Sequence, residues 1–253
     1  MKKTNITGKL LDFSFKTASQ AAFRHRKPFC SAILAAGGHS SRMGQDKLLM
    51  ELDGKPVILY SLLALQNCDN VDEIIVVCSP ALRPKVAALC SVNNITKVVA
   101  NVEGGDTRFD SVSIGLKYIS HKAELIAVHD AARPFATTEF ISRIIAAAKN
   151  TSGVVPAVAV KDTIKVVNEG TVASTPDRSS LYAVQTPQVF DADLYKAAVA
   201  KAAGGIGLTD DSMAVEAIGG KVSVVPGDEN NIKLTTPFDF RIAQLIITEL
   251  GNK

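Results

Sequence analysis

The chain has no tryptophan, and its 253 residues include only four cysteines and four histidines. Cys30, Cys68, Cys78 and Cys90 share no metal-ligand spacing with one another or with His25, His39, His121 and His129, which excludes the usual zinc signatures. A disulfide framework is not expected in so large and cysteine-poor a chain, so the expected compartment is reducing and the expected location cytoplasmic. No apolar run reaches the length of a transmembrane helix, and no membrane partner is expected. Excess charge of one sign is missing too: 28 basic against 25 acidic residues leave +3, and the body of the chain carries no basic stripe for nucleic acid. There is no G-x-S-x-G elbow and no cysteine beside a recognisable base, so covalent and metal-hydroxide mechanisms rank low.

What is present is enough apolar residue, 47%, to build a sizeable core. Residues 1–28 stand apart, with Lys2, Lys3, Lys9, Lys16, Arg24, Arg26 and Lys27 against the single acid Asp12. They read as a flexible basic extension, or alternatively as a transit peptide directing the chain to a plastid. The domain proper is expected at 29–253. There, short β-branched runs alternate with amphipathic helical stretches, the pattern of an α/β fold with a mostly parallel, Rossmann-like sheet flanked by helices. Strands are expected at 31–35, 73–78, 97–100, 125–129 and 153–159. Helices are expected at 56–66, 82–91, 108–119, 138–149, 192–203, 210–218 and 237–250, the last with Thr236 as N-cap and Pro237 at its first position. Between Lys161 and Gln185 the helical period disappears. Two short runs there, 163–167 and 181–184, suggest a protruding β-arm outside the main sheet, suited to gripping a second subunit in a homodimer.

The first strand runs into Ala35-Ala36-Gly37-Gly38, followed by Arg42 and Lys47. Small residues let the backbone approach a phosphate while the two cations offset its charge, so this is a phosphate-cradling loop, distinct from Walker A and from G-x-G-x-x-G. A second glycine pair, Gly104-Gly105, leads through Asp106 into a helix beginning near Arg108 and carrying Ser111, a place for a base, ribose or phosphate. Asp130 and Arg133 directly follow a strand, where open α/β sheets collect ligands, and should lie near the Gly37 loop. His129 reads as packed. Arg178 and Lys233 sit in short polar motifs, which makes them candidate phosphate ligands.

In their order, Val128-His129-Asp130-Ala131-Ala132-Arg133-Pro134, Gln185-Thr186-Pro187-Gln188-Val189-Phe190, Thr209-Asp210-Asp211 and Asn231-Ile232-Lys233 resemble the 2-C-methyl-D-erythritol 4-phosphate cytidylyltransferase family of the non-mevalonate isoprenoid pathway. The resemblance spans about residues 30–250 and implies a nucleotidyltransferase sheet. It implies a CTP site at Ala35, Ala36, Gly37, Gly38, Gly104, Gly105, Asp106, Ser111 and Ala131, with Arg42 and Lys47 around the triphosphate. It places Asp130, Arg133, Thr163, Arg178, Thr186 and Lys233 around the acceptor, with Arg178 carried across a dimer interface by the arm at 161–185. The implied cofactor is Mg²⁺, held mainly by the CTP triphosphate without dedicated protein ligands. The implied partners are CTP and a small sugar-alcohol phosphate. Arg42, Lys47, Arg178 and Lys233 are the expected catalytic cations, because two polyanions must meet and positioning plus cationic stabilisation should dominate. The short Arg42-to-Lys47 spacer instead looks like that of the molybdenum-cofactor guanylyltransferases. Two alternatives are a ribitol 5-phosphate cytidylyltransferase and a nucleotide-binding regulatory module without turnover.

Overall fold

The structure, a computed structural model, describes residues 27–37, 47–202 and 208–251. In chain order it runs β1 (Cys30–Ala36), β2 (Glu51–Leu52), β3 (Lys55–Pro56), α1 (Val57–Asn67), β4 (Glu73–Cys78), α2 (Arg83–Val92), β5 (Val98–Glu103), α3 (Arg108–Gly115) and β6 (Leu125–Asp130). It continues with α4 (Thr138–Ala147), β7 (Gly153–Ala159), β8 (Val166–Asn168), β9 (Thr171–Ser174), β10 (Tyr182–Val184), β11 (Gln188–Asp191), α5 (Ala192–Ala202), α6 (Ser212–Ala217), β12 (Val222–Pro226) and α7 (Pro237–Gly251).

The main sheet has the order β10-β7-β11-β6-β1-β4-β5, with β12 also paired to β7. The pairings β1–β4, β1–β6, β4–β5 and β12–β7 are parallel, while β10 and β11 run against their neighbours. The alternation of strand side chains sorts the core into two layers. Ala32, Leu34, Ile74, Val76 and Ala127 pack with α1, α4 and Ala243 of α7 on one face. Ile33, Ala35, Ile75, Val77 and Val128 pack with Val112 of α3 and with α5 and α6 on the other. Both faces are covered, which is why these strands read as continuous apolar runs.

The expected strands all form, and the one expected at 97–100 runs on to Glu103. The helix expected at 108–119 ends at Gly115 and tightens into a 3₁₀ turn, Leu116–Tyr118. A Cβ at Gly115 would stand 2.9 Å from Val77 Cγ2 and 3.0 Å from Ile33 Cγ2, so the helix touches the sheet there through bare backbone. Two strands of the main sheet were not expected, β11 and β12, and neither were the short strands β2, β3 and β9 outside it. One expectation is corrected: the run at 181–184 is not outside the main sheet, because β10 pairs Tyr182 with Ala159 and Val184 with Ala157. Pairing to an available strand satisfies its backbone groups, which an isolated segment could not do. Within the arm, β8 and β9 form a separate hairpin, turning at Glu169 and Gly170 with φ of 46° and 78°. Most of the basic extension at 1–28 lies outside the described residues.

Candidate active site

The carboxyl ends of β1, β4, β5 and β6 deliver the glycine loops and Asp130 to one edge of the sheet. Gly37 follows β1 directly, and Ala131 N–H donates to the Ala35 carbonyl at 3.0 Å, joining the β1 and β6 loops. Gly104 is fixed by its N–H to the Cys78 carbonyl at 3.0 Å. Both glycines face Ser111 Oγ: an added Cβ would lie 3.0 Å from it at Gly37 and 2.7 Å at Gly104. The Gly105 N–H donates to that same oxygen at 3.1 Å. At α3's start, Thr107 and Asp110 form a reciprocal capping box that satisfies two of the helix's orphan N–H groups. The result is a backbone-walled floor with buried Ser111 at its base and exposed Asp106 at its rim.

Asp130, only 6% exposed, is the hub of the second half of the site. Its Oδ1 lies 2.9 Å from Arg108 Nε, its Oδ2 lies 2.7 Å from Lys233 Nζ, and Arg133 Nε is 4.0 Å away. Burial by itself would raise its pKa, but the Arg108 and Lys233 charges outweigh that and hold the carboxyl well below the usual carboxylate range. Arg133 directs Nη1 to the Asn231 carbonyl at 2.7 Å and Nη2 to the Val184 carbonyl at 3.3 Å. Burial lowers its pKa, opposed by Asp130. Thr186 Oγ1 accepts the Asp130 N–H at 3.1 Å and stands 2.9 Å from His129 Nδ1. Asn231 Nδ2 donates to the Thr186 carbonyl at 3.0 Å, so the loops before β11 and α7 are sewn together beside Asp130. His129 is fully buried, and desolvation pushes its pKa down to about 4. A neutral ring, its Nδ1 accepting from the Thr186 hydroxyl, fits that environment.

Of the residues expected here, the structure brings together Ala35, Ala36, Gly37, Gly104, Gly105 and Ser111 in one group, and Asp130, Ala131, Arg133, Thr186 and Lys233 in the other. Lys47 is half-buried in the turn before β2. Gly38 and Arg42 lie outside the described residues. Thr163 and Arg178 are exposed on the arm, Arg178 Nη1 donating to the Lys161 carbonyl at 2.8 Å. Among the described residues, the close partners of Asp130 within the chain are Arg108, Lys233 and Arg133, and neither Thr163 nor Arg178 is one of them. Arg108, Asp211 and Gln188 lie in the motifs quoted above, but nothing in the sequence assigned them a role in the site. Arg108 Nη2 reaches Asp211 Oδ2 at 2.7 Å, and Gln188 joins β11 to the start of α6 through the Ser212 N–H at 3.0 Å and Asp210 at 3.0 Å. The available signal was Arg108's place at the head of α3, behind the glycine pair.

Among the described residues, no group of three or more His, Cys, Asp or Glu side chains converges as a metal-ligand set. Asp130 is already taken up by its cations, so the described residues do not fit a protein-caged Mg²⁺. Among the same residues, no helix is long and apolar enough to cross a membrane.

The family model for IspD, 2-C-methyl-D-erythritol 4-phosphate cytidylyltransferase, matches residues 30–249. The chain belongs to this family. A 2-C-methyl-D-erythritol 4-phosphate cytidylyltransferase of Symbiobacterium thermophilum is 42% identical over 87% of this chain and 93% of its own. That of Caldanaerobacter subterraneus is 41% identical over 86% of this chain and 98% of its own. The crystal structure of 4-diphosphocytidyl-2C-methyl-D-erythritol synthase from Anaerococcus prevotii superposes with a TM-score of 0.78 at 32% identity, covering 88% of this chain and 97% of that one. Membership in the cytidylyltransferase family extends over both halves of the site, from the end of β1 to Lys233.

Proposed function

We propose that this chain transfers the CMP group of CTP to the phosphate of 2-C-methyl-D-erythritol 4-phosphate, releasing pyrophosphate and forming 4-diphosphocytidyl-2-C-methyl-D-erythritol. The observation that carries this reading is the cation cluster on Asp130, set beside the glycine loops in a member of the cytidylyltransferase family. Arg108, Arg133 and Lys233 against Asp130 and Asp211 leave one positive charge in excess while His129 is neutral. Lys233, with 37% of its side chain exposed, is the cation best placed to receive an incoming phosphate.

In this reading an ionised oxygen of the acceptor phosphate attacks the α-phosphorus of CTP in line. The new P–O bond forms as the bond from the α-phosphorus to the pyrophosphate oxygen breaks, and no general base is required. The protein's work is to align the two anions and to stabilise charge on the α-phosphoryl oxygens and the leaving group. The backbone floor at Gly37, Gly104 and Gly105 with Ser111 receives the nucleoside. Arg42 and Lys47 serve the triphosphate, which brings Mg²⁺ with it. Thr163 and Arg178 serve the acceptor from the arm of a second copy in a homodimer. Exposure of Val166, Val167 and Val172 along the hairpin supports that pairing, because such apolar edges gain from being covered. Four free cysteines support a cytoplasmic location.

The test is pyrophosphate release with each nucleoside triphosphate in turn, against methylerythritol phosphate and ribitol 5-phosphate. Turnover with CTP and methylerythritol phosphate is expected. Turnover with ribitol phosphate alone, or with GTP in preference to CTP, would overturn the assignment.

A further inference from the structure

Arg108 ties together two buried carboxylates that the chain delivers from opposite sides of the site. Its Nε meets Asp130 at the end of β6, and its Nη2 meets Asp211 in the turn leading to α6. Asp211, 2% exposed, is itself held by the hydroxyl of fully buried Tyr195 on α5 at 2.7 Å, and the Tyr195 ring stacks on Phe190 of β11 with centroids 4.6 Å apart. Arg108 occupies the first turn of α3, where the Thr107–Asp110 box fixes the backbone. The planar guanidinium fork can span both carboxylates at once, which a lysine's single ammonium cannot.

This bridge bears on the charge available at Lys233. The groups facing Asp130 are Arg108 from α3, Lys233 from the approach to α7, Arg133 from the loop after β6, and neutral His129 beside it on β6. Without Arg108, Lys233 would be the one cation left in close contact with a buried carboxylate. It would be drawn onto Asp130 and away from an incoming anion. With Arg108 sharing that carboxylate, the Lys233 ammonium keeps an open side.

We propose that Arg108 is a positioning residue for the acceptor half of the site: its bridge from Asp211 to Asp130 sets how much of the Lys233 charge remains for the acceptor phosphate. This rests on the proposed transfer reaction and adds to it a link from the α5–α6 turn to turnover.

Arg108→Lys, Asp211→Asn and the double variant test it, through kcat and KM for methylerythritol phosphate at saturating CTP. Asp211→Asn should raise that KM about tenfold with a smaller change in kcat, on the scale of couplings within one ion-pair network. Arg108→Lys, which keeps the charge but cannot span both partners, should do at least as much. The double variant should be no worse than Arg108→Lys alone to within about twofold. A double variant that multiplies the two effects, or an Asp211→Asn protein with unchanged KM, would overturn the proposal. A role confined to holding the fold would lower thermal stability and leave the acceptor KM of the folded protein alone.

A second readout does not depend on activity: the carboxyl titration of Asp130, followed by ¹³C NMR. The group should titrate at higher pH in Arg108→Gln than in the unaltered chain, and an unmoved titration would also overturn the proposal. Should Arg108→Gln fail to fold, the same shift is read in Arg108→Lys, where a longer ion-pair distance should raise it less. Inactivity of the unaltered chain with CTP and methylerythritol phosphate would sink the proposed function; the titration would then still decide the bridge.

Discussion

Replacing Asp130 with Asn keeps the shape of the hub and removes its charge. Arg108 would retain Asp211, but Lys233 and Arg133 would lose their carboxylate. Lys233 is partly exposed and can recover hydration; Arg133, with 11% of its side chain exposed, cannot. Breaking a buried ion pair costs about 3–5 kcal/mol, and the hydration of Lys233 and the remaining amide oxygen put the expected loss near the lower end, about 3 kcal/mol. For a chain of this size that corresponds to a fall in Tm of about 6–12 °C. The pH dependence makes the test specific. The folded-state carboxyl is held below its ordinary range, so its stabilisation is complete above the unfolded pKa of about 3.9 and is lost as pH falls from there toward the folded value. The deficit of Asp130→Asn in urea unfolding should therefore be smaller at about pH 3 than at about pH 7, by about 1.3 kcal/mol. A deficit that is the same at both values, or that widens with acid, would refute the assignment of Asp130 as the charge-bearing hub.

Gly104→Ala would push a methyl to 2.7 Å from Ser111 Oγ and should weaken CTP binding at least about tenfold in a nucleotide titration while leaving the unfolding midpoint nearly unchanged. Buried His129 binds its proton in the folded chain only near pH 4, so the unfolded chain gains a proton first as pH falls below about 6.5 and stability declines through that window by up to about 3 kcal/mol. His129→Gln should flatten that decline between about pH 6.5 and pH 4 in urea unfolding, and an unchanged slope would count against a neutral buried ring. Thr186→Val strands the Asp130 N–H in a buried site and should cost about 1–3 kcal/mol of unfolding free energy, most of it restored by Thr186→Ser. Finally, Arg178→Ala and Lys233→Ala should each be nearly inactive, yet mixing and re-equilibrating the two should recover part of the activity if the arm serves the neighbouring site; no recovery would confine Arg178 to its own protomer.

The parts of the fold that could be read from the sequence are those whose neighbours do not alter the local pattern. β1, β4, β6 and β7 are continuous apolar runs because helices cover both faces, and such runs announce themselves. β11 does not: Gln-Val-Phe-Asp is four residues long, and it is a strand because β6 and β7 leave a gap that only an antiparallel segment fills. β12 ends in Pro226 and takes its pairing from β7. In the site, Asp130 stood out because it directly follows an apolar strand, and Lys233 because it is a cation in a short polar motif. The pairing of Arg108 with Asp211 was not legible, since an ion pair between distant segments leaves no periodicity behind. Arg133 shows the limit of reading residue type alone: its spacing after β6 was legible, but the carbonyls of Asn231 and Val184 that occupy its fork were not.

The root of the arm is anchored twice. Val160 N–H donates to the Leu181 carbonyl at 3.1 Å, and β10 then zips against β7 before the chain reaches Thr186. Everything between those stitches, including the β8–β9 hairpin, is an outgrowth whose length does not enter the geometry at Thr186. Hairpins of other lengths could be grafted in place of residues 166–174, with Thr163 and Arg178 kept, without dragging the edge at Asp130 and Thr186 out of alignment. The exposed apolar strip of Val166, Val167 and Val172 can thus be rebuilt separately from the β6 edge that holds Asp130.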